Sequence, residues 1–316
     1  MPSYLPIELW ILIVKSAVAL PVNRNWFNPR SGNFECVKGL AKSSETFTEI
    51  VQALKDEILV LSFPGIEQVS PSSARRAKHL DIVDNSRLLG TPVLDRIAGF
   101  SQLTSLSLSA QEEPINILLC LQSLDVSRTL QSIDVEGGWA RMFHLGDYPK
   151  HFFPSTSLSF PNLKRLRLRH MGLIPFCRNS FQEQVMRDVA LFFSGCSDLQ
   201  LISIHVPLDD ADDFYGLLNV HRFLLDHIVP SEGYERDMTS CPICFKAYNH
   251  ARVARAENSA TRIFAEKLPN LSEIRWMNIW ADSPEEGHQR QIKITRQRGA
   301  ITLTSDDGRW KTFIDL

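Results

Sequence analysis

Leu103-Thr104-Ser105-Leu106-Ser107-Leu108 is the stretch on which the reading of this chain turns. It has the form Leu-x-x-(Leu/Ile)-x-apolar, a leading leucine followed by two apolar residues in strand alternation. That spacing sends the apolar residues to one side of a strand and the residues between them to the other. The form recurs as Leu130-Ile133-Val135, Leu163-Leu166-Leu168, Leu199-Ile202-Ile204 and Leu271-Ile274-Trp276, with starts 27, 33, 36 and 72 residues apart, the last gap twice the one before. Turn-forming leads introduce several of them: Phe100-Ser101-Gln102, Phe160-Pro161-Asn162 and Leu268-Pro269-Asn270. One match is unremarkable, whereas five along one chain indicate a loosely periodic repeat.

Outward from the templates, Ile58 to Leu61 and His79 to Val83 read as two further, degenerate strands. Ile115 to Val126, Phe181 to Phe193, Phe214 to Ile228 and Ala251 to Leu268 carry apolar residues at helical spacing, so each repeat is expected to be a strand followed by a helix. Asp209-Asp210-Ala211-Asp212-Asp213 precedes one of these helices, where the dipole favours negative charge, and it lacks the spaced oxygens and glycine of a calcium loop. Gln291 to Arg296, Ala300 to Thr304 and Arg309 to Ile314 read as closing strands, the last two joined by a hairpin at Asp306-Asp307-Gly308. Such an antiparallel end piece would cover an open sheet edge.

Towards the N-terminus the texture is helical. Residues 5 to 20 read as one apolar helix, with Pro6 suited to its start and Pro21 ending it. Val22 to Asn33 is turn-rich and reads as a loop. Phe34, Val37 and Leu40, then Phe47, Ile50, Val51 and Leu54, form two further apolar stripes, with Ser43-Ser44 as the cap between them.

With 34 basic and 36 acidic side chains, a formal charge of −2 and 44% apolar residues, the chain is expected to be globular, and the charge argues against a dedicated nucleic-acid binder. Six irregularly spaced cysteines do not make a disulfide framework and favour a reducing compartment. No uninterrupted apolar run of about 18 residues predicts a membrane span. Glu8 and Lys15 interrupt the first apolar run, and no basic residue precedes it, which argues against a secretory signal. The expected location is cytoplasmic or nuclear.

Leu5-Pro6-Ile7-Glu8-Leu9-Trp10-Ile11-Leu12-Ile13 resembles the opening of an F-box, and Gly39 to Phe47 looks like that module's second helix and following turn. Together with the templates, the chain is similar to fungal-type F-box proteins carrying divergent leucine-rich repeats. The resemblance implies an α/β fold: an irregular leucine-rich-repeat-like solenoid over residues 58–290, a small all-α F-box-like module over 1–57 with a loop inserted at 21–33, and an antiparallel strand cap over 291–316. It further implies that Leu5, Pro6, Leu9, Trp10 and Ile13 dock into a hydrophobic groove of a Skp-type adaptor, and through it a cullin ubiquitin ligase, while the repeats hold a protein target. The same side chains are also suited to packing on the protein's own helices. Because residues 5 to 20 are apolar nearly all round, one stripe can face in and another out.

Alternation assigns an outward, concave-face position to Ser105, Ser107, Ser109, Asp134, Glu136, Arg165, Arg167, Arg169, Ser203, His205, Glu273, Arg275 and Met277. Of these, Ser107, Asp134, Glu136, Arg165, Arg167, Arg169, His205 and Arg275 are the candidate target contacts. The arginines suit carboxylate or phosphate groups, yet Asp134 and Glu136 on the adjacent strand are placed to neutralise them. Cys241-Pro242-Ile243-Cys244 with His250 has zinc-ligand chemistry but no fourth ligand, so a RING-like ligase is the weaker enzyme alternative and no metal or cofactor is expected. Nucleophile elbows, phosphate loops and metalloprotease helices are missing from the sequence, no catalytic residue is assigned, and a scaffold without ligase association remains the other alternative. The run Arg75-Arg76-Ala77-Lys78 reads as a solvated face.

Overall fold

A computed structural model describes residues 42–86, 92–112, 114–137, 157–169, 179–205, 254–277 and 289–305, together with residues 7, 9–11, 13, 14 and 39. Helix α1 (Glu45–Glu57) leads into β1 (Ile58–Leu61), α2 (Phe63–Glu67), α3 (Pro71–Arg76), β2 (His79–Ser86), α4 (Val93–Ala98), β3 (Ser105–Ala110), α5 (Pro114–Gln122) and β4 (Ser132–Glu136). Then follow β5 (Arg165–Arg169), α6 (Asn179–Phe192), β6 (Leu201–His205), α7 (Ala254–Lys267), β7 (Glu273–Met277), β8 (Gln289–Gln297) and β9 (Ala300–Ser305). The fold is mixed α/β with a mostly parallel strand arrangement. The chain forms two compact units, Met1–Gly138 with Arg165–Arg167, and Trp139–Lys164 with Leu168–Leu316.

In the first unit β1, β2, β3 and β4 pair in chain order, all parallel, with His79 opposite Ser105 and Ser105 opposite Ser132. Parallel neighbours require a crossover between them, and α2 with α3, α4 and α5 occupy those connections in the sequence. Helix α1 starts at Ser44, whose hydroxyl accepts from the Phe47 amide at 3.4 Å, and this is the cap expected from Ser43-Ser44. It runs straight into β1: the Glu57 carbonyl accepts from the Lys78 amide at 2.9 Å, and the Glu57 carboxylate pairs with Lys78 at 2.7 Å. The basic run therefore does more than face solvent, since Arg76 also meets Asp56 at 3.4 Å and Ala77 is buried.

Every apolar residue of the five templates is buried. The geometry ahead of each leading leucine repeats as well. Leu103, Leu163, Leu199 and Leu271 donate their amides to the carbonyls of Phe100, Phe160, Cys196 and Leu268, three residues back, at 3.1 to 3.2 Å; Leu130 closes a longer turn onto Val126 at 3.2 Å. The strand then begins two residues after the leucine. Thr104 and Ser105 both donate to the Lys78 carbonyl, Gln131 and Ser132 to that of Thr104, and Arg165 to that of Gln131. In the second unit Gln200 and Leu201 donate to Lys164, and Ser272 and Glu273 to Gln200. The leucine anchors the turn in the core, and the fixed offset to the strand start sets the register, which is why a pattern six residues long recurs although its spacing does not.

The second unit pairs β6 with β7 in parallel, then β7 with β8 and β8 with β9 antiparallel. Gln291 to Arg296 and Ala300 to Thr304 are thus strands as expected, with slightly wider bounds. They join through Arg298-Gly299, whose φ angles of 50° and 81° are the left-handed pair that a type I′ hairpin turn requires. Asp306-Asp307-Gly308 and Arg309 to Ile314, like Phe214 to Ile228 and the acidic run at 209–213, lie outside the described residues. Helix α7 closes on β7 through an edge-to-face contact of Phe264 with Trp276, and the buried Trp276 indole donates to the Thr261 hydroxyl at 2.9 Å. Gly195 stands where a Cβ would lie 2.3 Å from the Leu158 carbonyl oxygen, so only glycine admits that segment, whose Leu158 amide donates to Phe192 at 2.6 Å.

The short helices α2, α3 and α4 have no counterpart in the sequence reading. Each is five or six residues long, too short to display a helical stripe.

Candidate functional site

Residues 7, 9–11, 13 and 14 are helical. Successive side chains on a helix are about 100° apart, so Trp10, Ile11 and Val14 share one side while Leu9 and Ile13 share the opposite one. The structure uses both sides differently. Val14 is fully buried in a cluster with Ile50, Val51 and Leu54 of α1, and Trp10 and Ile11 pack against that cluster beside Phe47 and Ile58. The Trp10 and Phe47 rings meet edge to face, with centroids 4.8 Å apart and planes at 87°. Leu9 and Ile13 stay 42% and 45% exposed, and Ile7, one turn before the inward stripe and overhanging it, is 49% exposed. Burial of the inward stripe leaves Leu9 and Ile13, two large aliphatic side chains, exposed on the opposite side.

Of the expected adaptor contacts, Leu9 and Ile13 are therefore presented to solvent, Trp10 is turned towards α1 and half-buried, and Leu5 and Pro6 lie outside the described residues. Trp10 meets Phe47 within the first unit, which is the packing on the protein's own helices that the apolar sequence also allows. A residue at Phe47 able to meet an aromatic ring three positions into that helix carries no signal in the sequence, because the pairing joins segments far apart in the chain.

The expected open face of the strands needs a larger correction. Ser105, Ser107, Asp134, Arg167, Arg169, Ser203 and Arg275 are buried; Ser109, Glu136 and Glu273 are half-buried, and Arg165 is exposed. The side chains of His205 and Met277 lie outside the described residues. Alternation itself holds, since these residues do occupy the side opposite the apolar template. What fails is the step from opposite side to solvent. Register places Asp81, Ser107 and Asp134 directly across from one another. Neighbouring strands stand about 4.8 Å apart, so short Ser and Asp side chains form a tight row, and the long Arg167 side chain reaches along it to within 3.8 Å of Asp134. The expected neutralisation across the ladder is thus present, but as a buried ion pair, in which desolvation weighs heavily against the Coulombic attraction. In the second unit Ser203 stands opposite Arg275, and Arg275 donates through Nε to the Glu273 carboxylate two residues back. Burial pulls the Arg275 guanidinium below its ordinary range, and Glu273 opposes that shift.

A cluster that the sequence reading missed lies on α7 and β8. Glu257, in the first turn of α7, is buried, and Arg290 of β8 donates to its carboxylate at 2.9 Å, to the Ala254 carbonyl at 3.0 Å and to the Asn258 side-chain oxygen at 3.1 Å. Six residues along β8, and so on the same side of the strand, Arg296 donates to the carbonyls of Ala265, Leu268 and Leu271 at 2.5 to 2.9 Å. The last carbonyls of a helix have no partner within it, and Arg296 supplies one. Burial pushes the Glu257 carboxyl up to about 7, against the hydrogen bond and charge of Arg290. Nothing in the local pattern of either segment marks these residues, since each is a charged position on a half-polar element.

No group of His, Cys, Asp or Glu able to hold a metal occurs among the described residues. Cys241, Cys244 and His250 lie outside them. The described cysteines are the half-buried Cys120 and the buried Cys196; burial raises the Cys196 thiol to about 11, and its Sγ approaches the Leu158 carbonyl at 3.6 Å. Among the described residues no helix is long and apolar enough to cross a membrane. No protein-family model matches the chain, and neither a curated protein nor a solved structure matches it.

Proposed function

We propose that this chain is a non-catalytic recognition subunit of a ubiquitin ligase: an F-box-like head on a divergent leucine-rich-repeat domain, acting in the cytoplasm or nucleus. The head binds a Skp-type adaptor, and the repeat region holds a protein target. The observation that carries the reading is the division of the N-terminal helix, with Trp10, Ile11 and Val14 committed inward and Leu9 and Ile13 left in water on the opposite side. An amphipathic helix turning aliphatic side chains towards a partner groove is a standard recognition mode, and the outward set coincides with two positions that the F-box resemblance assigns to the adaptor. The leucine-rich-repeat reading is supported by the repeated turn-and-strand geometry at the five templates. For the target, the exposed Arg165 and half-buried Glu136 are the accessible members of the candidate set among the described residues, and the buried members act by supporting the strands.

The test is capture of the intact protein by a purified Skp-type adaptor. The wild type is expected to be retained, and Leu9→Asp combined with Ile13→Asp to reduce retention at least about tenfold, because two charges would enter an apolar groove. Absence of capture by the wild-type protein, in a sample shown to be folded by circular dichroism, replaces this reading with that of a scaffold without ligase association.

A further inference from the structure

The N-terminal helix poses a problem that its own sequence does not solve. Ile7, Leu9, Trp10, Ile11, Ile13 and Val14 spread large apolar side chains over more than half of the helix circumference, so burial of apolar area alone does not single out one rotation of the helix. A single helix of a few turns is marginal in isolation, and its conformation depends on what it packs against. The residues it packs against in the cluster are aliphatic, Ile50, Val51, Leu54 and Ile58, apart from Phe47. Aliphatic contacts are non-directional, whereas two aromatic rings prefer defined offsets because their faces are negative and their edges positive. Trp10 and Phe47 have such a geometry, perpendicular at 4.8 Å, and Phe47 is held in the first turn of α1, where the capped Ser44 fixes the backbone. A rotation of the helix by one residue position, about 100°, would break this contact and turn Leu9 or Ile13 towards the protein.

We propose that Phe47 is the positioning residue of this helix: by its edge-to-face contact with Trp10 it selects which apolar side packs on α1, and thereby which side is presented to a partner. Phe47 itself packs, half-buried, against the inward cluster. The inference deepens the adaptor reading where the partner is concerned, but its structural half, selection of the inward side, stands independently of any partner.

The experiment uses the full chain and two measurements on the same samples. Hydrogen exchange read over residues 7–14 and 45–57 reports the packing of the helix and of α1, and retention on a purified Skp-type adaptor reports presentation. In Phe47→Leu, which keeps most of the apolar area but removes the ring, exchange over residues 7–14 should accelerate about three- to tenfold while that over 45–57 is unchanged, and adaptor retention should fall by a similar factor. Phe47→Tyr should restore both. Trp10→Leu removes the same contact from the other side and should match Phe47→Leu, and the double variant should be no worse than either single one, as two residues acting through one contact require. Unchanged exchange over residues 7–14 in both Phe47→Leu and Trp10→Leu would overturn the proposal, as would additive losses in the double variant. If the wild type shows no adaptor retention, the function proposed above fails, and the exchange result still decides for or against Phe47.

Discussion

The N-terminal helix and strand β8 are each attached to a longer helix, α1 and α7 respectively, by opposite chemistry. The first is held by an apolar cluster, Trp10, Ile11 and Val14 on Phe47, Ile50, Val51 and Leu54. The second is held at its two ends by guanidinium groups, Arg290 on Glu257, Ala254 and Asn258, and Arg296 on the Ala265 carbonyl of α7 and the Leu268 and Leu271 carbonyls just beyond it. Apolar attachment is strong but indifferent to direction, so an apolar helix can be bound on one side and remain adhesive on the other. Hydrogen bonds to named oxygens have one geometry and leave nothing over. The proposed docking element is accordingly of the first kind, and β8, which carries the antiparallel end of the second unit's strands, is of the second.

The contrast can be broken hardest at Arg290. Arg290→Met strands the Glu257 carboxylate in a buried position and frees the Ala254 carbonyl, and is expected to destabilise the protein by about 3–5 kcal/mol above neutral pH, measured by urea denaturation. Leu54→Ala, which empties the centre of the apolar cluster around Val14, should cost about 2–5 kcal/mol and release the N-terminal helix, seen as faster exchange over residues 7–14. A pH effect comes next. Glu257 releases its proton near 4.5 when unfolded and near 7 when folded, so between those values the folded state holds a proton that the unfolded state has lost. Stability should therefore be greatest at and below about pH 4.5 as far as this group is concerned, fall as pH rises to about 7 by up to about 3 kcal/mol, and level off above it. Glu257→Gln should flatten that dependence, and an unaltered pH profile in this variant would show that the carboxyl is not its source. The smallest effect belongs to the outward side: Leu9→Asp with Ile13→Asp should shift stability by no more than about 0.5 kcal/mol, since the side chains are already half in water. A large loss there would mean that the outward residues are structural.

The two regions also differ in how far they were legible. The templates from Leu103 to Trp276 could be read directly because strand alternation and the turn ahead of each leucine are local events, completed within about six residues. The second strand of the closing pair, Ala300 to Thr304, was legible for the same reason, whereas its turn at Arg298-Gly299 was overlooked: an arginine at positive φ is uncommon, and the stronger Asp-Gly signal lies further on. The outward placement of Leu9 and Ile13 was half legible. A helix apolar nearly all round announces that it has two uses without saying which side serves which, and the packing of Trp10 on Phe47 was not marked in advance. The buried rows were not legible, because Ser107, Asp134 and Arg167 read individually as surface residues.

From sequence alone follow the strand-helix alternation, the identity of the apolar core and the register carried by each leading leucine, since all of these depend on residues close together in the chain. Only the tertiary structure decides that Arg167 and Arg275 are buried rather than offered to a ligand, that Arg290 and Arg296 grip the two ends of α7, and that Phe47 meets Trp10. These outcomes depend on which segments, remote in sequence, come within a few ångströms of one another, and short-range pattern holds no information about that distance.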